Sequence, residues 1–487
     1  MNKIIILLAV ALLLLVSCQQ NTAEAVDTPK DSATTPSTEN TSTGQLPTWA
    51  RNATIYEVNL RQYAEEKPLQ FFTSQLPRLK DMGVDILWFM PIHPISMTNR
   101  KATPDMMIEE VTGPEEKKKY LGSPYSVTDY RAFNPEYGTM DDFKKMLKNA
   151  HDLDMRVIID WVPNHTGWDH QWIKDHPDWY TQVDGKIIKS PTLKGEPTDW
   201  YDVAELNFDN QEMRKAMIAD MKYWITEVGI DGFRMDVAHD VPNDFWTQCS
   251  NALFAAGDIF MLAEGQVPEQ MNSGNFHADY GWDFHHLMNE IAKGEKVAWR
   301  IDEWLGKDRA RFKQGFHMMF TSNHDENTWA GTVFDRMGHG HQTFAVLAAT
   351  FDGMPLCYSG QESANQKRLE FFTKDVIKWG NYEYADFYKK LFELKHQNQA
   401  LWNGEWGGQP TKIETSNEND LYAFQREKDG DKVVVVLNLS GNNQVFELKG
   451  SGYAGEYNNV FTGGKTNLTD GMQMQMKAWD YLVLSNR

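Results

Sequence analysis

From Trp49 to about Gln399 short unbroken apolar runs alternate with longer stretches in which apolar residues recur at helical spacing. An unbroken run of this length marks a strand buried on both faces, and its alternation with helices marks a parallel sheet with its connections packed outside. Eight runs predict strands at 55–59, 85–90, 156–160, 232–236, 259–264, 276–280, 317–321 and 355–358. Helices are expected between them, among them 140–151, 211–228 and 242–256, the last with Pro242 at its start. Eight strand–helix units are the number that closes a barrel.

Two stretches break this rhythm. Residues 92–137 and 164–210 run through Pro, Gly, Trp and Asp without a period, and both read as long loops at the strand ends where barrels place their binding sites. The second, about 164–210, reads as a small inserted domain. After about residue 400 the pattern turns to period two at 421–426, 432–438 and 444–448, with Asp429-Gly430 supplying a hairpin turn. The fold class expected is therefore α/β: a (β/α)8 barrel over 48–399, a loop-inserted small domain, and a C-terminal antiparallel β-sandwich over 400–487.

The N-terminus is different again. Lys3 is followed by thirteen apolar residues, Ile4 to Val16, and then by Ser17-Cys18. Thirteen is short of the ~20 that span a bilayer. The pattern resembles the lipobox of a bacterial lipoprotein, which implies removal of residues 1–17, lipid on Cys18, and attachment to the cell envelope on its periplasmic or cell-surface side. Residues 18–47 are rich in Thr, Ser, Pro, Glu and Asn and read as a flexible linker. The other cysteines, Cys249 and Cys357, are too few and too far apart for a disulfide framework.

Charge narrows the partner. With 48 basic and 68 acidic residues the net charge is −20, which repels nucleic acid and favours a neutral or cationic ligand. Seventeen Trp and 18 Tyr supply flat faces for packing or for sugar rings. The run Lys117-Lys118-Lys119 beside Glu115-Glu116 reads as a solvated face. His285-His286 and the His339/His341 pair carry no zinc-type spacing. Trp200, Trp282 and Trp329 fall in rim loops, either as sugar platforms or as loop packing.

The chemistry sits at strand ends. Residues 156–165 read RVIIDWVPNH, with Asp160 at the strand tip and Asn164 and His165 beyond it. The next run ends GFRMD, so Arg234 and Asp236 point to one side. The run IFMLAEG ends at Glu264, and FTSNHDEN carries His324 and Asp325. Carboxylates delivered to one rim by separate strands suit acetal hydrolysis, in which one attacks the anomeric carbon and another, kept protonated, gives its proton to the leaving oxygen.

The four segments DWVPNH, GFRMDVAH, AEG and TSNHDEN, in this order, resemble the four short stretches that characterise the alpha-amylase family of glycoside hydrolases, a family built on the TIM barrel. GVDILWFMPIHP and the segment opening SPYSVTDYRAFNP add to the likeness, which covers 49–399. The resemblance implies a retaining hydrolase of α-1,4-glucosidic bonds in starch, maltodextrin or maltooligosaccharides. It implies Asp236 as nucleophile, Glu264 as general acid and then base, and Asp325 as the carboxylate that grips the sugar hydroxyls. Tyr125, His165, His239 and His324 are implied to meet substrate, with Arg234 orienting Asp236 and Asp160 supporting Arg234. The alternatives are an exo-acting α-glucosidase or transglycosylase of the same family, or a glucan-binding lipoprotein without catalysis. No organic cofactor is expected. The family's usual calcium is implied at Asn164, with Asp199 and Asp202 as further oxygen donors, although His239-Asp240 departs from the Lys-His pair common after the nucleophile.

Overall fold

The computed structural model describes residues 44–487 apart from 193, 194 and 197; the expected signal segment, Cys18 and most of the linker lie outside the described residues. Eight parallel strands close into a barrel: β1 (Ile55–Val58), β2 (Ile86–Phe89), β3 (Arg156–Trp161), β4 (Gly232–Met235), β5 (Phe260–Ala263), β6 (Ala278–Tyr280), β7 (Phe316–Met319) and β8 (Met354–Tyr358). Each pairs with its sequence neighbours, and β1 closes the ring against β8 through Ile55 opposite Leu356. All eight coincide with the runs expected from sequence.

Period two along each strand decides what fills the barrel. Ile55, Ile86, Trp88, Ile158, Phe260, Leu262, Met318 and Leu356 form the inner cluster, whereas Tyr56, Leu87, Phe89, Val157, Ile159, Phe233 and Met261 join the outer core beneath the helices. Continuing the inward alternation by one step carries Ile55 to Glu57, Ile158 to Asp160 and Leu262 to Glu264, and on β4 it takes Arg234 and then Asp236. Strand geometry thus turns five polar side chains inward at the barrel's C-terminal mouth. Gly232 lets β4 approach β5: at φ +151° a Cβ there would lie 2.0 Å from the Phe260 carbonyl oxygen.

The covering helices begin where the sequence places caps. Helix α1 (Pro68–Asp81) starts on proline, and α2 (Met140–Asp152) on a capping box between Thr139 and Asp142. Asn210 caps α3 (Gln211–Tyr223), which widens into a π turn over Trp224–Val228 and stops at Gly229, φ +93°. There follow α4 (Asn243–Phe254), α5 (Trp282–Ala292), α6 (Arg300–Arg311), α7 (His341–Thr350) and α8 (Ala385–Gln397). Among the described residues no helix is long and apolar enough to cross a membrane.

The two long loops contain short sheets that strand propensity alone did not reveal. Lys101–Thr103 pairs with Met106–Met107, and His165–Gly167 pairs with Val203–Glu205. The loops are stitched together: Gly167 donates its N–H to the Val127 carbonyl, and Asp169 accepts from the Met97 and Thr98 amides at 2.7 and 3.0 Å.

The C-terminal strands are β9 (Thr411–Thr415), β10 (Leu421–Lys428), β11 (Asp431–Asn438), β12 (Gln444–Lys449), β13 (Gly455–Asn459), β14 (Lys465–Leu468), β15 (Gln473–Met476) and β16 (Tyr481–Ser485). Asp429 and Gly430, both at positive φ, make the hairpin turn between β10 and β11. By hydrogen bonding these strands are one antiparallel sheet, ordered β14-β13-β16-β11-β10-β9-β12-β15, because β9 pairs with β10 through residues 411–413 and with β12 through 414–415. Tyr422, Phe424, Val433 and Val435 join the core of the barrel, while Ala423, Val434, Val436 and Phe446 build a separate core.

Candidate active site

Arg234, wholly buried on β4, is the centre of the C-terminal mouth. One terminal nitrogen donates to Asp160 Oδ1 at 2.8 Å and to Asp236 Oδ1 at 2.9 Å; its Nε donates to the Tyr280 hydroxyl at 3.0 Å. The other terminal nitrogen lies 2.9 Å from Glu264 Oε2. One guanidinium therefore gathers carboxylates from β3 and from the ends of β4 and β5, and Tyr280 of β6 fixes its plane. Glu264 Oε2 also accepts the Val237 amide at 2.7 Å. Val237, a β-branched residue, holds φ +37° to make that bond, a strained backbone directly beside Asp236.

The facing wall is built from the loop after β7. His324 Nδ1 meets Glu57 Oε1 at 2.6 Å, and its Nε2 lies 2.7 Å from the Tyr125 hydroxyl and 3.3 Å from Asp325 Oδ2. Tyr125 in turn donates to Asp160 Oδ2 at 3.3 Å. Asp325 Oδ1 accepts the Trp329 indole N–H at 3.2 Å. A cleft of about 410 Å³ opens over Asp236, Glu264 and Asp325, with Tyr125, His165, Trp200, Trp329 and Phe371 among its walls. Tyr125 and Phe371 lie parallel, 6.1 Å between centroids.

Electrostatics follow from burial under too few cations. Burial disfavours the His324 imidazolium, but Asp325 and then Glu57 outweigh it and raise the ring to about 9, so it is charged near neutrality. Burial, only partly offset by His324, raises Asp325. Burial and the charge of Glu264 push Asp236 well up, whereas Arg234 and the Val237 amide, against burial, hold Glu264 low. Asp236 and Glu264, held on one guanidinium, titrate as a coupled pair and not as independent groups. Burial depresses His165 to about 3, leaving it a neutral imidazole.

The structure thus brings together Asp236, Glu264, Asp325, Tyr125, His165 and His324. Asp160 and Arg234, grouped with the substrate-binding residues in sequence, are both at 0% exposure and hold the carboxylates from beneath, Arg234 on Asp236 and Asp160 on Arg234. His239 stands beside the cleft, its Nδ1 3.3 Å from the Glu264 carbonyl oxygen, and does not line it. Of the three rim tryptophans, Trp200 and Trp329 line the cleft, while Trp282 packs edge-on against Phe320. His285 is spent on the Phe320 carbonyl and Glu326. Glu57, Tyr280 and Lys101 were missed from sequence. Glu57 and Tyr280 sit at inward strand positions, and alternation from Ile55 was the signal available for Glu57.

The residues expected to hold calcium have other partners. Asn164 gives its amide to Ser190 at 2.7 Å, and Asp199 is paired with Lys101 at 3.1 Å. Burial raises Asp202 to about 6, and the Lys101 charge pulls the other way, so the cation facing these two carboxylates is an ammonium group. Glu205, raised to about 7 by burial and then by Asp240, adds only one acidic pair. Among the described residues no three His, Cys, Asp or Glu side chains are grouped to hold a metal. These residues do not fit the six to eight oxygens that calcium takes.

A closed barrel with carboxylates from separate strands around one buried arginine, under an aromatic-walled cleft at the C-terminal mouth, is a site of the glycoside hydrolase class. Comparison with known proteins agrees. The family model described as "Alpha amylase, catalytic domain" matches residues 67–431, and "Alpha amylase, C-terminal all-beta domain" matches 413–480. The chain belongs to the alpha-amylase family. Alpha-amylase 3 of Dictyoglomus thermophilum is 26% identical over 477 residues, covering 82% of this chain and 87% of that protein. Alpha-amylase MalA of Haloarcula japonica is 24% identical over 417 residues, covering 81% of this chain, which spans only 56% of that protein. A noncanonic maltogenic alpha-amylase of Thermotoga neapolitana is similar in structure, with TM-score 0.77 and 26% identity over 89% of this chain and 98% of that one.

Proposed function

We propose that the protein hydrolyses α-1,4-glucosidic bonds within starch, maltodextrin or maltooligosaccharides, with retention of anomeric configuration. The supporting observation is that Asp236 and Glu264 share one guanidinium on the floor of an aromatic-walled cleft that Asp325 faces from the other side. An Asp236 oxygen bonds to the anomeric carbon as the bond from that carbon to the leaving oxygen breaks, and the leaving oxygen takes a proton from Glu264. Water then attacks the same carbon, Glu264 takes one of its protons, and the bond to Asp236 breaks. The reaction needs the pair's proton on Glu264, and positive charge growing at the anomeric carbon favours an ionised Asp236. Asp325, tied to Trp329 and His324, offers acceptors to the sugar hydroxyls, while Tyr125 supplies a flat face.

Purified protein is expected to release reducing sugar from maltoheptaose, with internal fragments among the products. Asp236→Asn should lower turnover by roughly 1,000-fold or more with an unchanged melting temperature. Glucose as the sole product would replace the endo reading with an exo one, and equal turnover in the variant would remove Asp236 from its role. On the sequence pattern at 3–18, the proposal extends to lipid attachment at Cys18 and residence at the cell envelope, which labelling with a radioactive fatty acid and the Cys18→Ser variant test.

A further inference from the structure

Among the described residues Val237 is the one β-branched residue at positive φ, held at φ +37° and ψ +44°. Its side chain is crowded there, and such a conformation persists only where the surroundings over-determine it. Two other elements supply that constraint. Ala238, the next residue, opens the short turn Ala238–Asp240. Its carbonyl oxygen accepts the Trp246 indole N–H at 3.0 Å and the Gln270 side-chain amide at 2.8 Å. Trp246 belongs to α4 and Gln270 to the short helix Pro268–Asn272 that follows β5. Both are buried, at 0% and 4% exposure, and neither lines the cleft. The Val237 carbonyl is held too, by the Asp240 amide at 2.8 Å.

What the strained residue delivers is its N–H. It donates to Glu264 Oε2 at 2.7 Å, and the Arg234 guanidinium lies 2.9 Å from the same oxygen. An oxygen that already faces two donors has no room for a proton of its own, so the proton of an acid Glu264 belongs on Oε1. A carboxyl free to turn would present either oxygen to the leaving group. One pinned at Oε2 presents a single oxygen.

We infer that Trp246 and Gln270 are positioning residues: by gripping the Ala238 carbonyl they keep Val237 in its left-handed conformation, and so fix which Glu264 oxygen gives its proton to the leaving sugar. The inference deepens the proposed reaction and rests on Glu264 being its acid. It also sets a direction for pH. Against burial, Arg234 and the Val237 amide hold Glu264 low, so loosening that amide raises the carboxyl and moves the basic limb of the rate profile to higher pH.

Kinetics of Gln270→Met, which keeps the length and removes the donor, test it, with Trp246→Phe as a second variant that keeps a ring and removes the indole N–H. On maltoheptaose kcat should fall roughly tenfold with little change in KM, and the basic limb should rise. On p-nitrophenyl maltotrioside, whose leaving group departs as the phenolate without a proton, kcat/KM for nitrophenol release should change less than about twofold. Glycine takes positive φ without strain, so in a Val237→Gly background the loss caused by Gln270→Met should shrink to about threefold or less. Equal losses on both substrates, the same loss in both backgrounds, or no loss at all would reduce Trp246 and Gln270 to packing and leave the proposed hydrolase intact. Glu264→Gln separates the two readings: it should cripple maltoheptaose turnover while sparing nitrophenol release, and full turnover on maltoheptaose would overturn the acid and its positioning together.

Discussion

The two ends of the barrel each bury a cation between carboxylates, and they differ in stoichiometry. At the base, His317 sits between Asp279 and Asp308, with Arg311 3.7 Å from Asp308. Two carboxylates meet two cations, and although burial opposes it, Asp279 and Asp308 raise His317 to about 10. At the mouth, Glu57, Asp160, Asp236, Glu264 and Asp325 share Arg234 and the His324 imidazolium. Five carboxylates on two cations cannot all be ionised comfortably, so burial raises most of them and a proton is retained near neutrality. A matched cluster stabilises a fold. An unmatched one keeps a proton ready for transfer, which is what acetal cleavage requires.

The largest way to break this contrast is at Arg234. Arg234→Met leaves the mouth's carboxylates without their shared partner, and stability should fall by about 3–5 kcal/mol along with activity. Arg234→Lys should recover the charge but not the forked geometry, so a chemical melt would show partial rescue while turnover stays low. Full activity in the lysine variant would show that orientation by the guanidinium is unnecessary.

At the base the expectation is a change in stability with little change in chemistry. A ring raised from 6.5 to about 10 contributes its full stability below pH 6.5 and loses it as pH climbs through 10. Urea melts at pH 6.5 and 9.5 should therefore converge for His317→Gln, while the native protein loses ~2 kcal/mol or more across that interval. Turnover per folded molecule should be preserved. A His317 variant with normal stability but lost turnover would erase the distinction between the two ends.

A smaller effect is expected from Trp329→Phe, which keeps the cleft wall and removes the indole N–H from Asp325. A hydrogen bond to a charged group is worth about 1.5–3 kcal/mol, so kcat/KM on maltoheptaose should drop roughly tenfold or more. Because the lost partner favoured the ionised carboxylate, the acidic limb of the rate profile should move to higher pH. The smallest effect belongs to chelation. Excess EDTA should leave the melting temperature unchanged, since Lys101 faces Asp199 and Asp202, whereas Lys101→Met should lower it. A fall in melting temperature with EDTA would restore the metal that Asn164 suggested.

Much of this was legible along the chain. The eight barrel strands, the capped helices and the Asp429-Gly430 turn follow from local periodicity and turn chemistry, which need no partner to be recognised. The residues Asp160, Arg234, Asp236, Glu264 and Asp325 could be picked out because each sits at or just past the end of an apolar run. Other features were hidden for a common reason. The short pairing of His165–Gly167 with Val203–Glu205 joins segments almost forty residues apart, and β9 divides its hydrogen bonds between two partners. Neither event leaves a local signature. The pairing of Asp199 with Lys101 was hidden in the same way, because Lys101 arrives from a different loop.

By itself the sequence determined which side chains face inward, since strand alternation is a property of the backbone, and it determined which chemistries those side chains carry. Tertiary structure alone decided that Arg234 would serve three carboxylates at once, that Val237 would be held at positive φ to reach Glu264, and that His317 would sit between Asp279 and Asp308 at the far end of the barrel. Those outcomes depend on distances between residues remote in sequence, and on burial, which sets the strength of every charge in the site and exists only once the chain has closed on itself.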